Sequence, residues 1–436
     1  MSGEFEPART KRGRRGAAAA DQVSNAAESR REDVVALCAR LVAARSVNPE
    51  GDTRAVADVV RQALTDLGLP SRLEQCHDLM PSVVAEVDSG RPGPHLVLNV
   101  HLDTMPPGDE AAWTVPVWQM TRRDSRLYGL GMGNMKGAVA AMVHTLDLLA
   151  RSSRHWCGRV TFAAVSDEVV FGDNGAAHLL RTYPHLLGDA LICGEGPGFG
   201  RLALGEKGVL WLELTAAGVA GHSSSVRKGT SAAARLATAL TRIDDLNGFV
   251  GALPVELAGV MDDGVDVGLE LTANIGTVSA GSFIGQVATH ARAEIDLRLP
   301  PGIDVDAAQD QVHRAVLDIP TVAVRRIKGW DPNWTTPHSR LTSSWRAASQ
   351  DLYGVEPVYA IRLPASDASR WRRHDVPALC YGPQPTLSAG VDDYADEDEV
   401  LRCVSLYTLC ALNYLAVADV GVAAAPANIF DGWQGP

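Results

Sequence analysis

Short apolar runs that alternate with helical patterns are the feature of this sequence that most restricts its fold. Residues 95–100, 160–165 and 190–193 each have the length and apolar character of a buried strand, and each is followed by a segment with helical periodicity. Strands that are apolar along their whole length are typical of sheets covered by helices on both faces. The alternation therefore predicts an α/β fold with a mixed sheet and helices on both faces.

The pattern changes between about residues 205 and 327. Longer strands with alternating polarity are predicted over 208–217 and 288–299, and a helix over 231–246. After this stretch, a helix over 341–353 and an apolar strand over 376–381 return to the first style. We therefore expect a catalytic domain that is interrupted by an inserted α+β domain.

These patterns give a set of expected domain boundaries. The catalytic domain is expected in two parts, and the insert is expected to be a dimerisation or lid domain. The predicted segments are a disordered basic tail at 1–30, the catalytic domain at 31–205 and 328–415, the inserted domain at 206–327 and a C-terminal tail at 416–436.

Composition limits the partners of the chain. A length of 436 residues is too large for one compact core, and the net charge of −12 gives no basic face for nucleic acid or an anionic membrane. The seven cysteines form no Cys-x-x-Cys pair, which favours free thiols in a reducing compartment. No export signal or membrane-spanning segment is recognisable. We expect a cytoplasmic protein whose partner is a small molecule.

Polar residues follow each apolar run at the point where the predicted strand ends. His101 and Asp103 follow the first run, Asp167 and Glu168 the second, and Glu195 the third. Open α/β sheets bind ligands at the carboxyl ends of their strands, so we expect these side chains to lie together. Although one acid at a strand end is commonly a helix cap, a histidine and acids at three convergent strand ends indicate a functional site.

Further motifs accompany these residues in a fixed order along the chain. The motifs are His101-Leu102-Asp103-Thr104, Gly131-Met132-Gly133-Asn134-Met135-Lys136-Gly137, Asp167-Glu168 with Gly172 and Gly175, Gly194-Glu195, His222 within 218–223, Asp296-Leu297-Arg298 and Ser366-Asp367-Ala368. As a set, from about residue 33 to 415, they resemble the zinc-dependent family of acetylornithine deacetylase, succinyl-diaminopimelate desuccinylase, aminoacylase and carboxypeptidase G.

The resemblance implies a chemistry. Members of that family hold two zinc ions bridged by an aspartate and a water, and the water attacks an amide carbonyl after a glutamate takes its proton. Carried over by motif, His101 and Glu195 would be ligands of one zinc, Asp103 would orient the imidazole, and Glu168 would be the general base. His222 would reach into the partner subunit's site to stabilise the oxyanion, which implies a homodimer.

Three positions depart from the family pattern. Asn134 stands in place of the bridging aspartate, Val169 in place of a ligand glutamate, and Gly390 in place of the C-terminal ligand histidine. No histidine follows His374. We therefore expect one zinc position to lack ligands, while the other keeps His101 and Glu195 with Asn134 as a weak neutral third. At most one zinc per subunit, weakly held, or none at all, is predicted.

Two alternatives remain open at this point. The motif can be aligned one residue earlier, which makes Asp167 the base and Glu168 a ligand in a mononuclear His-Glu-Glu site. Alternatively, the chain is a noncatalytic relative whose scaffold serves binding or assembly.

The leading hypothesis is an amide hydrolase with an altered centre that acts on a small, carboxylate-containing amide or N-acyl amino acid. Arg298, Arg362 and Asn274 are the candidates for binding that substrate, since guanidinium groups match a carboxylate bidentately. Loss of the metal would instead leave an acid/base site suited to cyclisation, condensation or isomerisation.

Overall fold

The computed structural model describes residues 11–261, 267–385, 390–416 and 429–430. These residues form two compact units. The first comprises residues up to Leu204 together with Thr335–Val358 and the part of the chain that follows Ser366, and the second comprises Gly205–Trp334 and Tyr359–Ala365.

The strands, in chain order, are β1 (Ser71–Glu74), β2 (Ser82–Asp88), β3 (His95–His101), β4 (Thr121–Arg123), β5 (Arg126–Tyr128), β6 (Arg159–Val165), β7 (Ala190–Cys193), β8 (Arg201–Glu206), β9 (Gly208–Ala217), β10 (Thr272–Ala280), β11 (His290–Leu299), β12 (Val322–Trp330), β13 (Asn333–Trp334), β14 (Val358–Arg362), β15 (Ala378–Cys380) and β16 (Tyr394–Asp396).

The helices are α1 (Lys11–Glu28), α2 (Arg31–Ala43), α3 (Arg54–Asp66), α4 (Gly137–Arg151), α5 (Ala176–Thr182), α6 (Ala232–Asp244), α7 (Val255–Ala258), α8 (Val305–Val316), α9 (Arg340–Tyr353), α10 (Ala368–Arg372) and α11 (Glu397–Leu415).

The first unit is built on a mixed sheet with the strand order β1-β2-β6-β3-β7-β15-β8. Strand β3 runs parallel to both β6 and β7, and β15 runs parallel to β7, whereas β2 and β8 pair antiparallel to their neighbours. Helix α4 is buried along almost its whole length and packs against α11, α2 and the sheet. Its all-round apolar surface is the reason that it lies inside the unit.

The second unit has an antiparallel sheet with the strand order β10-β11-β9-β12. Apolar side chains alternate along β9 and β11, and they pack with α6 and α8 into a separate core. One face of the sheet is thus covered by helices, as the period-2 pattern of its strands requires. The predicted class, a mixed α/β sheet with a separate sheet-containing domain, is confirmed.

The second unit extends beyond the expected 206–327, because its main segment runs from Gly205 to Trp334. Strand β12 continues to Trp330, which pairs with Val209, so the sheet retains these residues. Residues 359–365 also belong to this unit, although they were expected in the catalytic domain.

The prediction of a disordered tail at residues 1–30 is wrong for the described part. Lys11–Glu28 is a helix, and it packs against α9 and α11. Ala20, Val23 and Ala27 are buried because they recur at helical spacing and form one apolar face. The alanine run is therefore the inner face of a docked helix. Residues 1–10 lie outside the described residues.

Most of the expected C-terminal tail at 416–436 also lies outside the described residues. Ile429 and Phe430 are described and buried, and the Ile429 N–H donates a hydrogen bond to Gln22 Oε1 at 2.6 Å. None of the described helices is both long enough and apolar enough to cross a membrane.

Candidate active site

Parallel strand pairing brings the polar strand ends together. His101 is the last residue of β3 and pairs with Val165 at the end of β6, while Asn99 pairs with Cys193 at the end of β7. The segments that follow β6 and β7 carry Glu168 and Glu195 to the same edge of the sheet. The three side chains are buried there, which is the arrangement that the sequence predicts.

The His101 ring lies between acceptors on both sides. Nδ1–H donates to the main-chain oxygen of Asp103 at 2.9 Å, and Nε2–H donates to Asn134 Oδ1 at 2.8 Å. Glu195 Oε1 also lies 3.3 Å from Nε2. Burial opposes protonation, but the hydrogen bond to Glu195 and the charges of Glu168 and Asp103 raise the pKa of His101 well above its ordinary value. This environment favours the imidazolium form.

The Asp103 carboxylate holds the loop after β6 more closely than it holds the imidazole. It accepts hydrogen bonds from the main-chain N–H groups of Glu168 at 3.2 Å and Val169 at 3.0 Å. Its Oδ1 lies 3.6 Å from His101 Nδ1, farther than its own main-chain oxygen. Asn48 Nδ2 donates to Oδ2 at 2.9 Å. Asp103 thus fixes the position of Glu168 through the backbone.

Asp167 is occupied by structural contacts. Its Oδ2 accepts from the N–H of Asn174 at 3.1 Å and from Asn174 Nδ2 at 2.8 Å, and its Oδ1 accepts from Asn48 at 3.3 Å. Both oxygens of this carboxylate are therefore engaged in contacts with neighbouring asparagines. The geometry therefore favours the register in which Glu168, and not Asp167, faces the site.

Asn134 reaches His101 from a turn that precedes α4. The turn starts at Gly131, whose φ of +83° suits glycine, and a Cβ there would lie 2.5 Å from the Thr104 side chain. Asp393 Oδ2 accepts a hydrogen bond from the Gly131 N–H at 2.8 Å. The glycine is thus required for the backbone path that delivers residue 134 to the ring of His101.

Glu168 is a buried acid among other acids. Burial raises its pKa well above the ordinary value, and the neighbouring charge of Glu195 raises it further. Its Oε2 lies 3.8 Å from His101 Nε2, while Oε1 has no hydrogen-bond partner within the described part of the chain. A carboxylate with a free oxygen and a raised pKa is a stronger base than an ordinary glutamate and is suited to accept a proton.

Among the described residues, one group of three side chains could hold a divalent metal ion. A ring nitrogen of His101 and carboxylate oxygens of Glu168 and Glu195 all lie within 4.8 Å of one another. Three protein donors are typical of a catalytic zinc site, but if Glu168 serves as the base, only His101 and Glu195 of this group remain as ligands. Val169 and Gly390 carry no side-chain donor, and the neutral Asn134 cannot offset the repulsion between two dications.

Two residues of the site were not predicted as site residues. The sequence indicated only that Asn48 belongs to a turn, but its side-chain amide donates hydrogen bonds to both Asp103 and Asp167. Asp367 was noted within a motif but given no role. Its carboxyl is buried and feels the charges of His101, Glu195 and Asp103, and burial raises its pKa to about 6 although Arg370 opposes the shift. The presence of an acid within the Ser366-Asp367-Ala368 motif was the available signal for Asp367.

The remaining predicted residues belong to the second unit. His222 is exposed and lines a cavity of about 480 Å³ with Gln286 and His290 among its walls. Arg298 is paired with Asp296 at 2.9 Å, and Asn274 is exposed on β10. Arg362 is buried and donates to the Ala365 carbonyl at 3.3 Å. These residues stay predictions as substrate-binding groups.

Comparison with known proteins identifies the family. A family model described as peptidase family M20/M25/M40 matches residues 97–413. The chain belongs to this peptidase family. This finding confirms the resemblance inferred from the motifs and supports a peptidase or amidohydrolase.

The match between this chain and similar proteins extends over nearly the whole length of those proteins. A probable succinyl-diaminopimelate desuccinylase of Staphylococcus aureus strain N315 is 23% identical over 381 residues, 83% of this chain and 92% of that protein. A succinyl-diaminopimelate desuccinylase of Xanthomonas oryzae pv. oryzae strain PXO99A is 29% identical over 390 residues, 86% of this chain and 97% of that protein. A Bacillus subtilis structure described as a dinuclear metal binding peptidase from the M20 family has a TM-score of 0.65 at 14% identity, covering 89% of this chain and 99% of its own. That likeness shows the fold.

Proposed function

We propose that this M20 family member hydrolyses a small, carboxylate-containing amide in an altered centre that holds at most one divalent metal ion per subunit. The observation that carries the proposal is the buried group of His101, Glu168 and Glu195 at the carboxyl ends of β3, β6 and β7. The positions that would complete a second metal site are occupied by Val169 and Gly390.

Each residue of the group has a separate task in this proposal. His101 and Glu195, with the Asn134 oxygen as a weak third donor, would hold the ion, which supplies Lewis-acid polarisation of the amide carbonyl when bound. Glu168 accepts a proton from the attacking water and delivers it to the leaving nitrogen. Asp103 keeps Glu168 in place through the two backbone hydrogen bonds to residues 168 and 169.

The residues of the second unit complete the proposal. His222 would stabilise the oxyanion in the site of a partner subunit, and Arg298, Arg362 and Asn274 would bind the substrate carboxylate. His222 is exposed, so its side chain is accessible to another subunit. A homodimer is part of this proposal.

A second candidate is a metal-free acid/base enzyme that catalyses cyclisation, condensation or isomerisation. The short distances from His101 Nε2 to Glu195 Oε1, 3.3 Å, and to Glu168 Oε2, 3.8 Å, favour it. A neighbouring acid and base of this kind can move protons without an ion.

The metal content of the protein distinguishes the one-metal hydrolase from the metal-free acid/base enzyme. We expect protein purified without a histidine tag and then offered zinc to retain no more than one ion per subunit, with weak affinity. The triple variant Asn134→Asp, Val169→Glu, Gly390→His should retain two, because it restores a bridging anion and two donors. Elemental analysis after dialysis measures both. Two tightly held ions in the unmodified protein would overturn the altered centre, and turnover that needs no ion and yields a product other than the hydrolysed amide would favour the second candidate.

A further inference from the structure

The backbone on either side of Glu195 is held by contacts with other parts of the first unit. Glu195 lies between Gly194 and Gly196, and glycine leaves the backbone freer than any other residue. The Gly194 N–H donates to the main-chain oxygen of Asn99 on β3 at 2.9 Å. The Gly196 N–H donates to Gln384 Oε1 at 2.5 Å. These two hydrogen bonds restrain the flexible stretch from which the Glu195 side chain projects.

Gln384 makes its contact from a buried position in the chain that follows β15. The side chain is 3% exposed, so water does not replace its oxygen as an acceptor. A Cβ at Gly196 would lie 2.7 Å from the main-chain oxygen of Gly382, which shows how closely the two segments approach. A buried N–H that loses its acceptor is costly, and the backbone shifts to avoid that state. Removal of the Gln384 oxygen should therefore displace Glu195.

The turn that carries Asn134 is held in a similar way from the same part of the chain. Asp393 directly precedes β16 and is buried. Its Oδ2 accepts from the Gly131 N–H at 2.8 Å, and its main-chain oxygen accepts from the Gly129 N–H at 2.9 Å. The turn leads to Asn134, whose Oδ1 lies 2.8 Å from His101 Nε2. Asp393 thus restrains the approach of Asn134 to the imidazole.

We propose that Gln384 and Asp393 are positioning residues, which hold Glu195 and Asn134 beside His101 so that the three can bind one metal ion. Neither acts as a ligand in this proposal. Gly390, between them, supplies no side-chain donor, and the chain after β15 instead acts through hydrogen bonds to the backbone of ligands from other segments. Loss of such supporting contacts commonly lowers metal affinity about 10–100-fold. The inference rests on the proposed one-metal centre.

Zinc titration of the metal-free, full-length protein tests the role of Gln384. Gln384→Met keeps the length of the side chain and replaces the oxygen acceptor with a weakly accepting thioether. It should bind zinc about 10–100-fold more weakly than the unmodified protein. Gln384→Glu keeps an oxygen for the Gly196 N–H and should bind zinc at least as tightly as the unmodified protein. An affinity of Gln384→Glu as low as that of Gln384→Met would contradict the acceptor role.

Gln22 provides a matched control, because its Oε1 also accepts a main-chain N–H, that of Ile429, at 2.6 Å. It lies on α1, which packs against α9 and α11. Gln22→Met should keep the zinc affinity of the unmodified protein. An equal loss of affinity in Gln22→Met and Gln384→Met would show a general loss of packing and would overturn the positioning role.

Two variants of Asp393 extend the test to the turn of Asn134. Asp393→Leu removes the side-chain acceptor of the Gly131 N–H and should weaken zinc binding, whereas Asp393→Asn keeps an oxygen there and should retain most of the affinity. Zinc affinities of Asp393→Leu and Asp393→Asn that both equal that of the unmodified protein would refute the role of Asp393. Circular dichroism checks that each metal-free variant is folded, and the Gln384 variants decide the proposal if Asp393→Leu is not.

Hydrogen exchange of the Gly196 amide, followed by NMR in the metal-free protein, measures the contact itself. The exchange should be faster in Gln384→Met than in the unmodified protein. Faster exchange with an unchanged zinc affinity would overturn the positioning role and leave the one-metal centre in place. An unmodified protein that binds no zinc would instead refute the one-metal centre, and the positioning of its ligands with it.

Discussion

At position 168, a buried carboxylate combines a free oxygen with a raised pKa. If Glu168 moves the proton of the attacking water, Glu168→Gln should lower kcat by about 10²–10⁴-fold, because the amide keeps the shape and loses the basicity. The activity of the unmodified protein should fall as pH decreases through a pKa higher than the usual glutamate value of about 4.3, since only the ionised form accepts a proton. Steady-state kinetics across a pH series measures both effects.

Metal content separates the role of base from that of ligand at this residue. The Glu168→Gln protein should bind zinc as the unmodified protein does, whereas Glu195→Gln should lose it, because the proposal makes Glu195 a ligand. Loss of zinc from Glu168→Gln would show that Glu168 is a ligand. Retention of most of the turnover would show that another group moves the proton.

At the scale of elements, a buried ion pair connects the segment between α1 and α2 to α4. Arg30, between α1 and α2, pairs with Asp147 on α4, and both side chains are almost completely buried. Asp147→Asn should lower the free energy of unfolding by about 3–5 kcal/mol, because the guanidinium would stay buried without its carboxylate. Chemical denaturation monitored by circular dichroism measures the change.

An exposed pair between neighbouring helices is the control for this prediction. Arg40 on α2 and Asp66 on α3 lie 3.8 Å apart, and both side chains are largely exposed. Asp66→Asn should cost less than about 1 kcal/mol, because water and salt screen the pair. Equal small losses in the two variants would mean that α1 is not anchored through Arg30.

At the scale of the whole molecule, the proposed dimer depends on the sheet of the second unit. Strand β10 ends that sheet, and exposed Val278, Phe283 and Ile284 lie on it or in the segment that follows. An unpaired edge with apolar neighbours is suited to pairing with a second copy. Light scattering at micromolar concentration should give twice the chain mass of 46.3 kDa. Ile284→Asp should shift the mass toward one chain, while Val355→Asp, an exposed apolar position of the first unit, should not.

A particle of one chain mass for the unmodified protein would remove the dimer from the proposal. It would also remove the action of His222 in a partner subunit. The metal measurements would be unaffected, since the donors of that centre all belong to the first unit.

Much of the architecture followed from periodicity alone. Residues 190–193 and 208–217 were predicted as strands, and β7 and β9 have these bounds. Runs of β-branched and apolar residues favour the pleated sheet. The helix predicted over 341–353 likewise corresponds to α9, Arg340–Tyr353. The N-terminal helix was missed because its inner face consists mostly of small alanines, which give a weak hydrophobic pattern, and the helices that bury this face come from distant parts of the chain.

The sequence by itself determined the fold class and the family. It also indicated that His101, Glu168 and Glu195 are neighbours, because the carboxyl ends of parallel strands lie at one edge of the sheet. It also determined that asparagine, valine and glycine stand at positions 134, 169 and 390, on which the proposed altered centre rests. Only the tertiary structure decided that Asp103 holds the backbone of the Glu168 loop, that Asp167 is occupied, and that Asp367 has a free buried oxygen. These are statements about which atoms meet across segments distant in the chain, and hydrogen-bond partners and desolvation depend on that packing and not on local pattern.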